Sequence, residues 1–148
     1  MKPEIRTYTY PNGQKMHEVS YVNGQAHGLY TEWYPNGQKR REIPYVNGQQ
    51  HGLVTWWHEN GQKRREIPYI NNQRYGLATW WHENGQKWSE TPYIHGQRHG
   101  LETWWHFNSS LSTVQKWHKD QEVWEMSFSS KEQIPENVEV ELFFHEMQ

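Results

Sequence analysis

The sequence predicts an all-β protein, an antiparallel β-meander of 24-residue units with two strands each. Three observations predict it: a strict internal period, two turn signals in every unit, and strand-forming residues between the turns. Gly13, Gly37, Gly61 and Gly85 stand 24 residues apart, as do Tyr21, Tyr45, Tyr69 and Tyr93, and Trp33, Trp57, Trp81 and Trp105.

Within a unit, the first turn signal is Asn-Gly at 12–13, 36–37, 60–61 and 84–85. The second is Asn23-Gly24, Asn47-Gly48, Asn71-Asn72 and His95-Gly96. Asn-Gly favours two-residue type I′ hairpins, which need positive φ at both central positions. Asn72 in place of glycine is tolerable, because Asn also visits the left-handed region. The segments between are rich in Trp, Tyr, Ile, Val and Thr. Pro44, Pro68 and Pro92 cannot donate to a ladder, so they belong near strand ends or on a bulge. No segment between turns is long enough for a helix.

Strands alternate faces. Leu53, Thr55 and Trp57 share one face, and Val54 and Trp56 share the other. The complete row Trp33, Trp57, Trp81 and Trp105 is expected in the core, with Tyr69 or Ile67 filling the gap between Trp57 and Trp81. The row Trp56, Trp80 and Trp104 is expected to be the exposed one, with the reverse assignment of the two rows as the alternative.

Leu, Ile, Val and Phe make up 24 of 148 residues, low enough to raise disorder as an alternative. A net charge of -2 and 16% aromatic residues argue against it. Each ring can bury roughly 150–250 Å². Charge divides the chain: residues 1–105 carry 12 Lys/Arg against 9 Glu, residues 106–148 carry 3 Lys against 8 acids. Residues 1–107 are therefore expected to form the array of about four units, and 108–148 a degenerate repeat or acidic C-terminal cap. There, Gln115-Lys116-Trp117 reads as Gln86-Lys87-Trp88 displaced by an insertion, and 123–128 and 138–142 alternate as strands do. Met1-Lys2-Pro3-Glu4 opens no apolar signal-peptide stretch, so the cytoplasm is the expected compartment.

The pattern Asn-Gly-Gln-Lys-x-x-Glu-x-x-Tyr-x-Asn-Gly-Gln-x-His-Gly, carried by Asn36, Gly37, Gln38, Lys39, Glu42, Tyr45, Asn47, Gly48, His51 and Gly52, resembles the variant MORN repeats of bacterial YwqK-like proteins. The resemblance covers roughly residues 8–107. It implies an antitoxin-like protein with a protein partner. MORN repeats more broadly imply protein binding and, in some cases, contact with membrane phospholipids.

Candidate chemistry is weighed on the same geometry. The ladders His27, His51, His99 and His58, His82, His106 suggest a metal, but mates two strands apart are roughly 9.6 Å apart, and His95 and His99 roughly 13 Å. Zinc needs ligands roughly 2.0–2.1 Å from one ion. These histidines are expected to pack on rings and donate hydrogen bonds. The row Glu18, Glu42, Glu66 and Glu90 could offer paired carboxylates, but every unit repeats the same pair without asymmetry. Arg40 and Arg64, two residues before Glu42 and Glu66, are the expected charge partners. Arg interleaved with Trp and Tyr can bind single-stranded nucleic acid, but an excess of three positive charges over 1–105 is a weak footprint. Packing of Arg on rings is the plainer expectation. No nucleophile elbow or P-loop is present, so neither catalysis nor a cofactor is expected.

The expected function is a non-catalytic protein-binding module, antitoxin- or immunity-like, contacting its partner through Trp56, Trp80, Trp104, Arg41 and Arg65. Two alternatives stay open: an aromatic surface for a small ligand, lipid headgroup or carbohydrate, and a self-associating scaffold such as a homodimer. Membrane-surface contact ranks below these, and nucleic acid lower still.

Overall fold

Aromatic and β-branched runs punctuated by Asn and Gly turns fold as one antiparallel sheet. The structure is a computed structural model and describes residues 2–129. Its strands are β1 (Glu4–Thr9), β2 (Lys15–Val22), β3 (Gln25–Ala26), β4 (Gly28–Trp33), β5 (Lys39–Val46), β6 (Gln49–Gln50), β7 (Gly52–Trp57), β8 (Lys63–Ile70), β9 (Gln73–Arg74), β10 (Gly76–Trp81), β11 (Lys87–Ile94), β12 (Gln97–Arg98), β13 (Gly100–Trp105), β14 (Leu111–His118) and β15 (Gln121–Ser127). The long strands follow chain order across the sheet, and the two-residue strands β3, β6, β9 and β12 each pair back on the strand before them.

The two Asn-Gly signals build different turns. Asn47 and Gly48 both have positive φ, 49° and 77°, the type I′ pattern. The pattern recurs at Asn71-Asn72, His95-Gly96 and, without any glycine, at Lys119-Asp120. At the other signal only the glycine is left-handed, with Gly37 at φ 84°. Gly37 N donates to Tyr34 O at 2.9 Å, and Asn36 Oδ1 accepts from Gln38 N at 2.9 Å. This is a longer turn closed by a left-handed residue and an Asx contact, not the type I′ turn expected from the dipeptide.

Every unit also carries a β-bulge. Trp56 faces Arg65, but Trp57 faces Lys63, which leaves Arg64 as the extra residue. The same shift occurs at Trp33–Lys39, Trp81–Lys87 and Trp105–Leu111. It decides side-chain partners: Lys63, not Arg64, joins Glu66 on its face, with Nζ 2.5 Å from Oε1. Lys15, Lys39 and Lys87 pair with Glu18, Glu42 and Glu90 in the same way. The expected partners Arg40 and Arg64 are displaced because strict alternation breaks at the bulge.

Five of the six most buried aliphatics among the described residues, Val19, Ile43, Val54, Ile67 and Ala78, lie on the face that also bears Trp56 and Trp80; the sixth, Val114, faces Thr103 on the other side. Ile67, Ala78 and Tyr93 form a buried cluster, with Trp56, Tyr69 and Trp80 packed against it. This reverses the expected core. Trp33, Trp57, Trp81 and Trp105 lie on the opposite face, half-buried, beside Leu29, Leu53 and Leu77, which are 47–49% exposed. The reason is the central row of that face. There Thr31, Glu42, Thr55, Glu66, Thr79, Glu90 and Thr103 alternate across neighbouring strands. A Thr–Glu ladder cannot make an apolar core, however complete the Trp row beside it. Lys63 fills the gap between Trp57 and Trp81, its Nζ 5.7 Å from the Trp81 ring centroid, while Ile67 and Tyr69 face the other way.

Beyond 107 the degenerate repeat keeps the 24-residue spacing. Leu111, Val114 and Trp117 stand 24 residues after Lys87, Glu90 and Tyr93, with no insertion. Ser109 takes the left-handed glycine position at φ 65°, and Gly100 faces Trp117 as Gly76 faces Tyr93. The glycine ladder ends at Trp124, 24 residues after Gly100. Trp124 pairs with Lys116, and the register then shifts before Trp117. The strand expected at 123–128 is β15, and that expected at 138–142 lies outside the described residues.

Candidate functional site

One row of side chains crosses the Val54 face at the bulge end of the strands. In register it runs His17, Glu32, Arg41, Trp56, Arg65, Trp80, Ser89, Trp104, Thr113. All five residues expected to meet a partner, Arg41, Trp56, Arg65, Trp80 and Trp104, stand on it. What differs from expectation is the setting. The row borders the buried cluster instead of lying on a separate, fully exposed face.

Its chemistry changes along its length. Arg41 Nε donates to Glu32 Oε2, and Arg40 Nη1 donates to Glu32 Oε1 at 2.6 Å. One carboxylate thus bridges two guanidinium groups. Burial opposes the Arg41 charge, but Tyr30 and Glu32 outweigh it and its pKa rises. Twenty-four residues on, the Glu32 position is Trp56. The Arg65 guanidinium lies 4.0 Å from the Trp56 ring centroid, and its Nε is buried with no acceptor among the described residues. Burial, and then the neighbouring Arg64, push the Arg65 pKa down.

Among the cavities that open beside the row, two are lined by arginine. One, of about 270 Å³, is lined by Glu32, Tyr34, Trp56 and Trp57 together with Arg40, Arg41, Arg64 and Arg65. The other, of about 510 Å³, is bordered by Trp80, Trp88, Tyr93, Glu102 and Trp104, with Arg74 and Arg98. Trp88 and Trp104 meet edge to face at 5.4 Å. On its floor, Thr91 Oγ1 donates to Glu102 Oε1 at 2.7 Å, both side chains buried. Arg98 lies 3.4 Å from the Trp117 ring centroid, and its Nη1 is 3.7 Å from Glu102 Oε2.

Glu32, Trp88, Glu102 and Arg98 were not among the residues singled out as partner contacts. The signal for Glu32 was legible: it departs from Trp56, Trp80 and Trp104 at one repeat position. Glu102 likewise departs from Val54 and Ala78.

The His ladder is structural where contacts are seen. Tyr10 Oη and Tyr34 Oη donate to Trp33 O and Trp57 O, at 2.8 and 2.9 Å. His58 Nε2 and His106 Nε2 take the same place toward Trp81 O and Phe128 O, both at 3.2 Å. Among the described residues no three His, Asp or Glu side chains gather as a metal set, and no helix is long and apolar enough to cross a membrane.

Three consecutive units match the MORN repeat variant, at residues 26–47, 50–71 and 74–95. The matched units lie within the all-β antiparallel meander, whose 24-residue repeats are similar to MORN repeats. No curated protein matches the chain.

Proposed function

We propose that the chain is a non-catalytic protein-binding module whose contact row is Arg41, Trp56, Arg65, Trp80 and Trp104. The observation that carries this reading is their adjacency on one row, each beside the next in register except where Ser89 separates Trp80 from Trp104. Trp and Arg dominate the energetics of protein interfaces, and here they border cavities rather than lie scattered. The test is co-purification from the native host. Wild type should retain a specific protein that Trp80→Ala loses and Trp57→Ala, on the opposite face, keeps. Retention of nothing, or equal retention by all three proteins, ends this reading. An antitoxin or immunity role is its sharper form. It requires that the retained protein be toxic alone and neutralised by this chain.

A second reading is favoured by the larger cavity. Its Trp80, Trp88 and Trp104 rings beside Glu102 suit a flat, polar ligand such as a sugar ring. Quenching of Trp fluorescence by a small-ligand panel, lost in Trp88→Ala, would support it over the first.

A further inference from the structure

The two arginine pairs stand in equivalent positions of successive units, and only the first has its counter-ion. Arg40 and Arg41 share the carboxylate of Glu32, whose side chain is 12% exposed. Arg64 and Arg65 have no carboxylate partner among the described residues, because the Glu32 position is Trp56 in their unit. All four arginines line one cavity of about 270 Å³, and among the described residues Glu32 is the acid that lines it. Four positive charges face one negative charge in a partly desolvated recess, where an added anion gains more than it would in water.

We propose that this cavity is a carboxylate-binding site, in which Arg64 and Arg65 capture an acidic side chain of a partner protein much as Arg40 and Arg41 hold Glu32. The precedent inside the same chain sets the ligand class: a planar oxyanion shared between two adjacent guanidinium groups. Trp56 and Trp57 wall the cavity, so the carboxylate arrives on a stem that can lie against their rings. This inference rests on the protein-binding reading and names the chemistry of the partner.

The test titrates the intact chain with hexaglutamate, hexalysine and inorganic phosphate at matched ionic strength, followed by calorimetry. Wild type should bind hexaglutamate and not hexalysine. Arg65→Gln and Arg64→Gln should each weaken hexaglutamate at least tenfold, while Lys119→Gln, in the last turn, should leave it unchanged. Trp56→Glu should also abolish binding, because it restores in the chain the carboxylate that Glu32 supplies one unit earlier. Arg64 is exposed, so Arg64→Gln keeps the test intact if Trp56→Glu does not fold. No binding of hexaglutamate, binding of phosphate alone, or an equal loss in Lys119→Gln overturns the proposal. A host protein retained through Trp80 but indifferent to Arg65→Gln overturns this inference and leaves the protein-binding reading standing. Tight hexaglutamate binding with no Trp80-dependent host protein overturns that reading instead.

Discussion

The two faces of this sheet carry comparable rows of tryptophan and use them differently. On the Val54 face, Trp56 and Trp80 border Ile67, Ala78 and Tyr93, and an arginine from the strand between stands in their row. On the Thr55 face, Trp33, Trp57, Trp81 and Trp105 each have a lysine ammonium 5.4–5.8 Å from the ring centroid. Each of those lysines is also paired with a glutamate three residues later in its own strand. The rings are alike; the row next to them is not. Where it is Val, Ile and Ala, the ring joins a core. Where it is Thr and Glu, the ring lies beside buried threonines and half-exposed lysine–glutamate pairs.

The largest expected effect tests which face is the core. Ile67 is 1% exposed and Leu53 is 49% exposed, though both occupy neighbouring strands. Ile67→Ala should cost about 2–5 kcal/mol in urea unfolding, and Leu53→Ala less than about 1 kcal/mol. Equal losses would break the comparison of the faces. Next is the backbone that lets a ring cover the strand. Gly52, at φ 119°, faces Tyr69, and a Cβ there would come within 3.0 Å of Pro44 Cγ. Gly52→Ala should therefore cost about 1–2 kcal/mol for the left-handed backbone, and more for the contact.

A comparable loss is expected where the core row turns polar. Thr91→Val keeps shape but removes the donor to the buried Glu102 carboxylate, at a cost of about 1–3 kcal/mol. An unchanged midpoint would mean that Arg98 alone satisfies Glu102. Smaller still is the Thr55 face. Lys63→Ala removes one half-exposed ion pair and one ring contact, together worth about 0.5–1 kcal/mol at low salt and less at high salt. The smallest effect is a pH dependence. The Lys15 ammonium, and then the Thr7 hydroxyl, hold the Glu18 carboxyl below its ordinary 4.5. A lowered folded pKa means this contribution is complete above that value and fades as pH falls through the folded one. In a side-chain carboxyl titration followed by NMR, Thr7→Val should move Glu18 upward; no movement would remove Thr7 from the ladder.

Much of the fold was legible because its signals are local. Positive φ at Asn47-Gly48 and at Asn71-Asn72 follows from residue type, and so does the strand character of Val54-Thr55-Trp56-Trp57. The fifth unit was harder, because Leu111, Val114 and Ser109 keep the spacing while changing the residue type. The bulge was not legible at all. Its extra residue is an arginine in two units, Arg40 and Arg64, and Trp88 in the next, so no one residue type marks it. Missing it exchanged Lys63 for Arg64 as the partner of Glu66. Arg41, Trp56, Arg65, Trp80 and Trp104 share one row, and only the cross-strand register shows that this row borders the buried cluster.

By itself the sequence determined the 24-residue period, the antiparallel meander and the positions of the turns. Each depends on backbone preferences that a few neighbouring residues settle. Only the tertiary structure decided which face buries its aliphatics, which cation meets each glutamate and which arginine pair lacks a carboxylate. Those outcomes depend on cross-strand register, and a single bulge per unit changes every pairing beyond it.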